Sequence, residues 1–473
     1  MGSQADRLRE ALVDQLAAAG TVRMPAVEAA LRAVPRHVFV PEAPLPRAYA
    51  DDVVQTKLDS DGIPISAASQ PSIVAVMLEQ LAVAPGDRVL EIGAGTGYNA
   101  ALLARLAGDS GSVVTLDVDD DIVRGARAAL AQAGFPGVTV IRGDGALGYA
   151  PRAPYDRIIA TVGARDIPLA WQDQLAPDGR IVVPLRLRGS VTRSVAFRHA
   201  PEARSAPHTG SGREAGPVLR SVSSVMCGFM PMRASIASDE RRTLPLTPGG
   251  DVLLEIQREQ EDSVDPAALD DVLGTEPVSV PTGVLVDDAP AAEWLYLWLT
   301  CVLDSGLFRL QVKQSAIDAS VVAPPFRWGA VGTIAGGSLA YLTLGPGKEK
   351  PGGEPPGRET PGKETPGKES GDGGTGDGTG SGSEREVGVI GHGSRGRDLA
   401  ETLAERIRDW DARYRARTAR FEIWPAGAAA SPALTSREDL FVFPTPANTL
   451  VVSWEHESEN LQLPSGRSGK SPV

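Results

Sequence analysis

The stretch Arg88-Val-Leu-Glu-Ile-Gly-Ala-Gly-Thr-Gly-Tyr98 limits the fold more than any other part of the chain. Val89 to Ile92 reads as a short buried strand, and Tyr98 opens an apolar run with the spacing of a helix. Between them stand Gly93, Gly95 and Gly97. Glycine accepts positive φ and lets a ligand come close to the main chain. A glycine turn that feeds a helix N-terminus offers unpaired amides to a polar ligand. Nucleotide-binding folds of several kinds share this spacing, so the following strands have to narrow the choice.

Two of them do. Val113-Val-Thr-Leu-Asp117 reads as the next strand and ends in an acid twenty residues after Gly97, placed to take a ribose diol. Val138 to Gly145 reads as a third strand ending in Asp144, which sits between Gly143 and Gly145. This set resembles the class I methyltransferases that bind S-adenosylmethionine. The resemblance implies an α/β fold with a doubly wound sheet. It also implies roles: Gly93, Gly95 and Gly97 for backbone contact with the methionine end of the cofactor, and Glu91 near its amino group. Asp117 would hold the ribose hydroxyls, and Asp144 with Gly145 the adenine. The plainer alternative is an α/β turn that binds nothing.

The chain has 473 residues, enough for two or three domains, and 42% are hydrophobic. The net charge of −13 gives no global basic footprint for nucleic acid or an anionic membrane. Cys227 and Cys301 are too few and too scattered for a disulfide framework or a zinc site, so both read as buried thiols and no metal is expected. Met1 to Leu16 is charged and helical in pattern, unlike a signal peptide. The apolar run Trp294 to Leu303 is too short to span a bilayer. These features point to a cytoplasmic protein without a membrane or nucleic-acid partner.

Taken in order, Asp6 to Ala18 reads as an amphipathic helix with Leu8, Leu12 and Leu16 on one side, and Pro25 to Val34 as a second. Pro35-Arg-His-Val-Phe-Val-Pro41 then turns the chain outward, with His37 a surface residue. Asp59 to Pro71 is an irregular polar loop ahead of a helix from Ser72 to Leu81. That helix carries Ile73, Val76, Met77 and Leu81 on its apolar face, and Glu79 and Gln80 on its polar one. Ser69 stands where it can either cap this helix or belong to an active-site loop.

Several runs here resemble the protein-L-isoaspartate (D-aspartate) O-methyltransferases. They are Ala33-Val-Pro-Arg-His-Val-Phe-Val-Pro-Glu42, Ala48-Tyr-Ala-Asp51 and Ile65-Ser-Ala-Ala-Ser-Gln-Pro-Ser-Ile-Val-Ala75. Downstream, Pro154 to Ala164 resembles the family's fourth-strand motif and Leu175 to Leu185 its following hairpin. The likeness runs from about Leu8 to Arg198. It implies that Ser69 is the active-site serine, with Ser66 a second candidate. One departure stands out: the family's usual Gly-x-Gly-Gln-Thr run is replaced by Asp61-Gly-Ile-Pro-Ile-Ser-Ala-Ala68.

Past Arg198 the composition changes. His199 to Gly216 reads as a polar loop, and Val218 to Arg233 as an apolar segment that packs on the sheet. Asp251 to Ile256 reads as a strand, Asp265 to Val272 as a short helix, and Ala291 to Leu303 as a buried helix. Gly337 to Leu344 alternates as a strand does. Five proline-glycine pentads follow from Pro346 to Ser370, and a Gly/Asp/Ser/Thr tract runs to about Ser383. Nothing in it can bury a core, so it reads as a disordered spacer inserted in a hairpin loop. A strand from Glu386 to Gly391, a helix from Arg397 to Tyr414, and strands at Phe421–Trp424 and Thr449–Trp454 come next.

The expected organisation is a methyltransferase domain over 1–235 with an N-terminal helical cap. A smaller α+β accessory domain would occupy 236–460, interrupted by 345–385, with a loose tail over 461–473. An added C-terminal domain resembles that of family variants from lanthipeptide-type (FxLD) gene clusters. This resemblance implies a carboxyl methyltransferase that acts on an aspartyl side chain of a ribosomally made peptide, with S-adenosylmethionine as cofactor. The peptide ester would close to a succinimide and open to isoaspartate, and the C-terminal domain would grip the precursor peptide. The alternatives are a repair enzyme for isoaspartyl proteins, a methyltransferase of small carboxylates, and a silent peptide-binding protein that keeps the fold. A carboxylate is already ionised at neutral pH, so none of the enzymatic readings needs a strong general base. A nitrogen-methylating enzyme of nucleic acids would carry an Asp/Asn-Pro-Pro-aromatic run where this chain has Ala160-Thr-Val-Gly-Ala164.

Overall fold

The computed structural model describes residues 3–59, 64–189, 192–201, 218–233, 241–286, 290–326, 329–348, 384–428, 434 and 439–456. The expected spacer over 346–383 falls almost wholly outside them, as do most of the loop at 199–216 and the tail. The chain divides into two compact units. One holds residues 1–242, 256–261 and 416–473, and the other 243–255 and 262–415.

The first unit opens with α1 (Gln4–Ala18), whose Ser3 and Asp6 cap each other in a reciprocal box. It continues with α2 (Pro25–Ala33), α3 (Leu45–Ala48) and the two-stranded antiparallel pair β1 (Val54–Leu58) and β2 (Pro64–Ala68). Next come α4 (Pro71–Leu81), β3 (Arg88–Ile92), α5 (Tyr98–Ala107), β4 (Ser112–Asp117), α6 (Asp120–Gln132) and β5 (Thr139–Arg142). Then follow β6 (Tyr155–Ala160), α7 (Leu169–Gln174), β7 (Leu175–Arg186), β8 (Thr192–His199) and β9 (Leu219–Met226).

In β3, Val89, Leu90, Glu91 and Ile92 are all buried, as a parallel strand covered on both faces requires. It pairs in parallel with β4 on one side and β6 on the other. The apolar face of α4 is set by Val74, Met77, Leu78 and Leu81, turned from the expected one. Gln80 belongs to the buried side: its amide donates to the Ser194 carbonyl at 3.1 Å and its oxygen accepts from the Ser194 hydroxyl at 2.6 Å. Glu79 takes the amides of Arg23 and Met24 and so closes the start of α2.

The second unit is built on strands β10 (Arg241–Pro245), β11 (Val252–Gln257), β12 (Val278–Val286), β13 (Phe308–Val312), β14 (Ala330–Ala335), β15 (Ser338–Lys348) and β16 (Glu384–His392). They form one seven-stranded sheet in the order β10-β11-β13-β14-β15-β16-β12. The helices Pro290–Val302 and Gly396–Arg413 belong to this unit, and Trp298 of the first stacks on Tyr414 at 3.9 Å. Where a helix is expected over 265–272, the chain makes two short 3₁₀ turns, Ala267–Leu269 and Val272–Gly274. Cys301 is buried, but Cys227 of the first unit is only partly so.

The chain then returns to the first unit. The strands β17 (Arg417–Pro425), β18 (Leu440–Pro444) and β19 (Asn448–His456) extend its sheet, in the order β18-β19-β17-β9-β8-β7-β6-β3-β4-β5. The join is β17 on β9, with Glu422 opposite Arg220 and Ile423 opposite Leu219. This corrects the expected assignment of 416–460 to the accessory domain, while 386–415 stays in the second unit. The physical reason is an open edge: β9 ends the antiparallel run β7-β8-β9, and β17 supplies its missing partner.

Candidate active site

A cleft of about 970 Å3, counting the open space at its mouth, lies at the C-terminal ends of β3, β4 and β6. Ligands of open α/β sheets bind at such strand ends. Its floor is the glycine turn. Gly93 has φ +98°, and a Cβ there would lie 2.7 Å from Thr161 Oγ1. The Thr161 hydroxyl donates to the Gly93 carbonyl at 2.6 Å. Only glycine meets both demands, and the backbone is bare where a ligand would lie.

Gly95 lines the cleft, and its amide donates to Asp117 Oδ2 at 3.1 Å. Gly97 does not line it. Its φ is +87°, and a Cβ would meet Leu130 and the Ala126 carbonyl, so this glycine serves the packing of α5 on α6 rather than the expected ligand contact. Gly145 lines the cleft, approaches β3 so closely that a Cβ would fall 2.4 Å from Ile92, and gives its carbonyl to Trp171 Nε1 at 2.8 Å. Asp144 is not among the lining residues. One of its oxygens accepts the Ala146 amide at 2.9 Å and caps a 3₁₀ turn, which sets the course of the chain through Gly145.

Glu91 lines the cleft but is buried within the sheet. Its two oxygens accept from Asn99 Nδ2 at 2.7 Å and Thr115 Oγ1 at 2.6 Å. Burial pushes its carboxyl up to about 7, against the downward pull of those two bonds. Asp117, at the end of β4, is raised by burial as well, while the Gly95 and Asp119 amides oppose the rise. Beside it, Asp119 is held below the usual carboxylate range. Burial works against this, but Arg233 at 2.8 Å and Lys57 at 3.2 Å prevail.

Ser69 and Ser66 both line the cleft, as do Gly93 and Gly95 of the glycine turn. Ser69 does not cap α4. The residue before that helix is Gln70, and Asp51 takes the Ser72 amide at 2.8 Å instead. Ser66 is buried, and its oxygen accepts from the Thr56 hydroxyl at 3.0 Å. The structure therefore brings Ser66, Ser69, Glu91, Gly93, Gly95, Asp117 and Gly145 to one cleft.

Sequence reasoning missed a further part of the lining, which is Phe229-Met-Pro-Met-Arg233. This segment is tied to the loop after β6 by Gly163 N to Met230 O and Met232 N to Gly163 O, each 2.7 Å. Its signal was present as an apolar Phe-Met-Pro-Met run ending in a base. Sequence reasoning also missed Arg36. It is buried, donates to the Ala48 carbonyl at 2.9 Å and the Ala68 carbonyl at 3.4 Å, and lies over the Tyr98 ring. The Pro35–Pro41 segment thus turns inward at Arg36, while His37 Nδ1 meets the Tyr49 hydroxyl at 2.7 Å.

Among the described residues there is no group of three His, Cys, Asp or Glu side chains able to hold a metal ion. Among them, too, no helix is long and apolar enough to cross a membrane.

A family model described as Protein-L-isoaspartate(D-aspartate) O-methyltransferase matches residues 7–204. A protein-L-isoaspartate O-methyltransferase of Methanopyrus kandleri is 43% identical over 180 residues, 38% of this chain and 77% of that protein. One of Methanoregula boonei is 46% identical over 177 residues, 37% and 77% of the two chains. Among solved structures, a protein-L-isoaspartate O-methyltransferase covers 70% of this chain and 84% of its own at 23% identity, with a TM-score of 0.43. Another, from Plasmodium falciparum in complex with S-adenosyl-L-homocysteine, covers 40% and 89% at 18% identity, with a TM-score of 0.36. At 43% identity over more than two thirds of a relative, the chain belongs to the protein-L-isoaspartate O-methyltransferase family, whose members depend on S-adenosylmethionine.

Proposed function

We propose that this chain methylates the free carboxylate of isoaspartyl residues in peptides or proteins. The observation that carries the reading is Ser69. It has no capping duty and lines the same cleft as the glycine turn. The curated relatives, named for isoaspartate, support the same substrate class.

The bare backbone at Gly93 and Gly95 and the acid at Asp117 fit S-adenosylmethionine, with Asp117 for the ribose and Glu91 for the positive end. When bound, S-adenosylmethionine supplies a methyl carbon that a carboxylate oxygen attacks in line, with the sulfur leaving as a neutral thioether. The protein's work is then to hold the carboxylate in line and keep water out. Ser69 is the donor for that carboxylate. Phe229, Met230 and Met232 supply an apolar wall that excludes water. No base is required, because the nucleophile is already ionised. The peptide ester then expels methanol as the neighbouring backbone nitrogen attacks, and a succinimide forms without further help.

A narrower reading takes a defined aspartate in a lanthipeptide-type precursor as the substrate, gripped by the second unit. One observation favours it. Residues 243–255 and 262–415 form a compact unit that lies outside the family match.

The experiment uses the full chain, labelled S-adenosylmethionine and a peptide pair that differs only in aspartate versus isoaspartate. We expect base-labile methyl ester and succinimide from the isoaspartyl peptide alone. Transfer to the aspartyl peptide, or to neither with cofactor binding intact, would point to the narrower substrate. Absence of cofactor binding would mean a silent protein. Ser69→Ala should keep cofactor affinity and slow transfer by roughly tenfold to a hundredfold, the loss of one charge-assisted hydrogen bond. An unchanged rate would remove Ser69 from this role.

A further inference from the structure

Arg36 is a fully buried guanidinium that makes no ion pair among the described residues, and its Nη1 has no hydrogen-bond partner. A buried charge in that state is costly, so its surroundings have to account for it. Its other donors reach two backbone carbonyls, those of Ala48 and Ala68. Ala68 immediately precedes Ser69, and the peptide between them is trans. In a planar trans peptide the carbonyl and the following N–H point in opposite directions. The Ala68 carbonyl is turned to Arg36, so the Ser69 amide is turned away from it. Ser69 lines the cleft, and neither its amide nor its hydroxyl is taken by another described residue. The guanidinium also lies over the ring of Tyr98, the residue that opens the helix after the glycine turn, with 5.1 Å to the ring centre.

We infer that Arg36 is a positioning residue for the substrate carboxylate. It fixes the Ala68–Ser69 peptide so that the Ser69 amide and hydroxyl act together as donors to an anion. Its own charge, in no direct ion pair with a described carboxylate although Asp51 acts on it from further off, favours an anion over a neutral group at that place. The lone Nη1 and the absent ion pair follow from this role, because an internal carboxylate there would cancel the charge the substrate uses. The inference rests on the isoaspartyl reading given above.

The test uses the full chain and two peptides, one with isoaspartate and one with its free carboxylate replaced by a carboxamide. The isoaspartyl peptide gives a KM by methyl transfer, and the carboxamide peptide a Ki as competitor. In Arg36→Met, KM should rise at least tenfold while Ki changes less than threefold and S-adenosylhomocysteine affinity stays within twofold. Arg36→Lys, which keeps the charge and loses the fork, should fall between wild type and Arg36→Met. Equal losses in KM and Ki would show a loosened fold and overturn the inference, as would no change in either. A lysine variant no better than the methionine one would overturn it too. Should Arg36→Met fail to fold, the KM-against-Ki split of Arg36→Lys decides alone. If the wild-type protein does not methylate the isoaspartyl peptide, the functional reading itself falls, which the variants cannot mimic.

Discussion

The Gly95 amide donates to Asp117 Oδ2 at 3.1 Å, so the acid that ends β4 holds the turn that ends β3. Under the proposed function Asp117 would have two tasks, gripping a ribose and fixing the backbone that meets the rest of the cofactor. Removing it should harm both. We expect Asp117→Ala to weaken S-adenosylhomocysteine binding by more than the tenfold to hundredfold, roughly, that one charged hydrogen bond carries. Asp117→Asn keeps an acceptor for Gly95 and should lose less. Calorimetric titration of the two variants would show the order, and equal losses would mean that the turn does not depend on this bond.

Glu91 gives the protein a pH dependence of a definite sign. Its carboxyl is pushed from 4.5 to about 7 by burial. The folded state therefore holds its proton between these values while the unfolded state has released it. Stability falls as pH rises through that window. Glu91→Gln keeps the acceptor for Asn99 and can donate to Thr115, but carries no charge. The variant without cofactor should be more stable than wild type at pH 7.5, by up to about 3 kcal/mol, since each tenfold change in proton affinity is worth about 1.4 kcal/mol. The gap should close at pH 5. Urea melts at the two pH values check this, and a gap independent of pH would show that the carboxyl is not raised.

Gly93 and Gly134 separate two costs of positive φ, which are +98° and +88° at these positions. A Cβ at Gly134 meets nothing within 4 Å, whereas one at Gly93 meets Thr161 and Val162 at the cleft floor. Both alanine variants carry backbone strain of order 1–3 kcal/mol. Only Gly93→Ala should also lose cofactor affinity. If Gly134→Ala loses it equally, the effect belongs to general destabilisation and not to the floor of the cleft.

What was legible in the sequence was what the backbone demands locally. The turn at Gly93 to Gly97 could be read because no other residue tolerates that path, and the acid at Asp117 because strand ends fall at fixed distances from it. The order of helices and strands was legible for the same reason. Arg36 was not, since an arginine beside proline resembles a surface turn until the carbonyls of Ala48 and Ala68 are known to converge on it. Gln80 hid likewise, because a polar residue in a helix reads as exposed unless a hydroxyl such as Ser194 waits opposite. Strand pairing was the largest loss. Alternation shows that Phe421 to Trp424 is a strand with two faces, but it carries no information about which edge accepts it.

That edge gives the last expectation. Asn448, at the start of β19, is buried and donates to Asp166 Oδ1 at 2.6 Å and to the Ile167 carbonyl at 2.7 Å. Its own oxygen accepts from Gln172 Nε2 at 3.0 Å, while the Ala447 amide takes the other Asp166 oxygen at 2.6 Å. The final strands are thereby fastened to the loop that follows β6, which leads on from the Thr161 wall of the cleft. Asn448→Ala leaves the buried Asp166 short of a donor and Gln172 short of an acceptor, a loss of roughly 2–3 kcal/mol. A chain cut after residue 235 loses β17 to β19 entirely and bares the edge of β9. We expect this fragment to aggregate or to melt far below the full chain, even though the family match lies wholly within it. Thermal melting and size-exclusion chromatography of the fragment decide the matter. A monomeric fragment with full cofactor affinity would show that the last three strands are an addition that the cleft does not need.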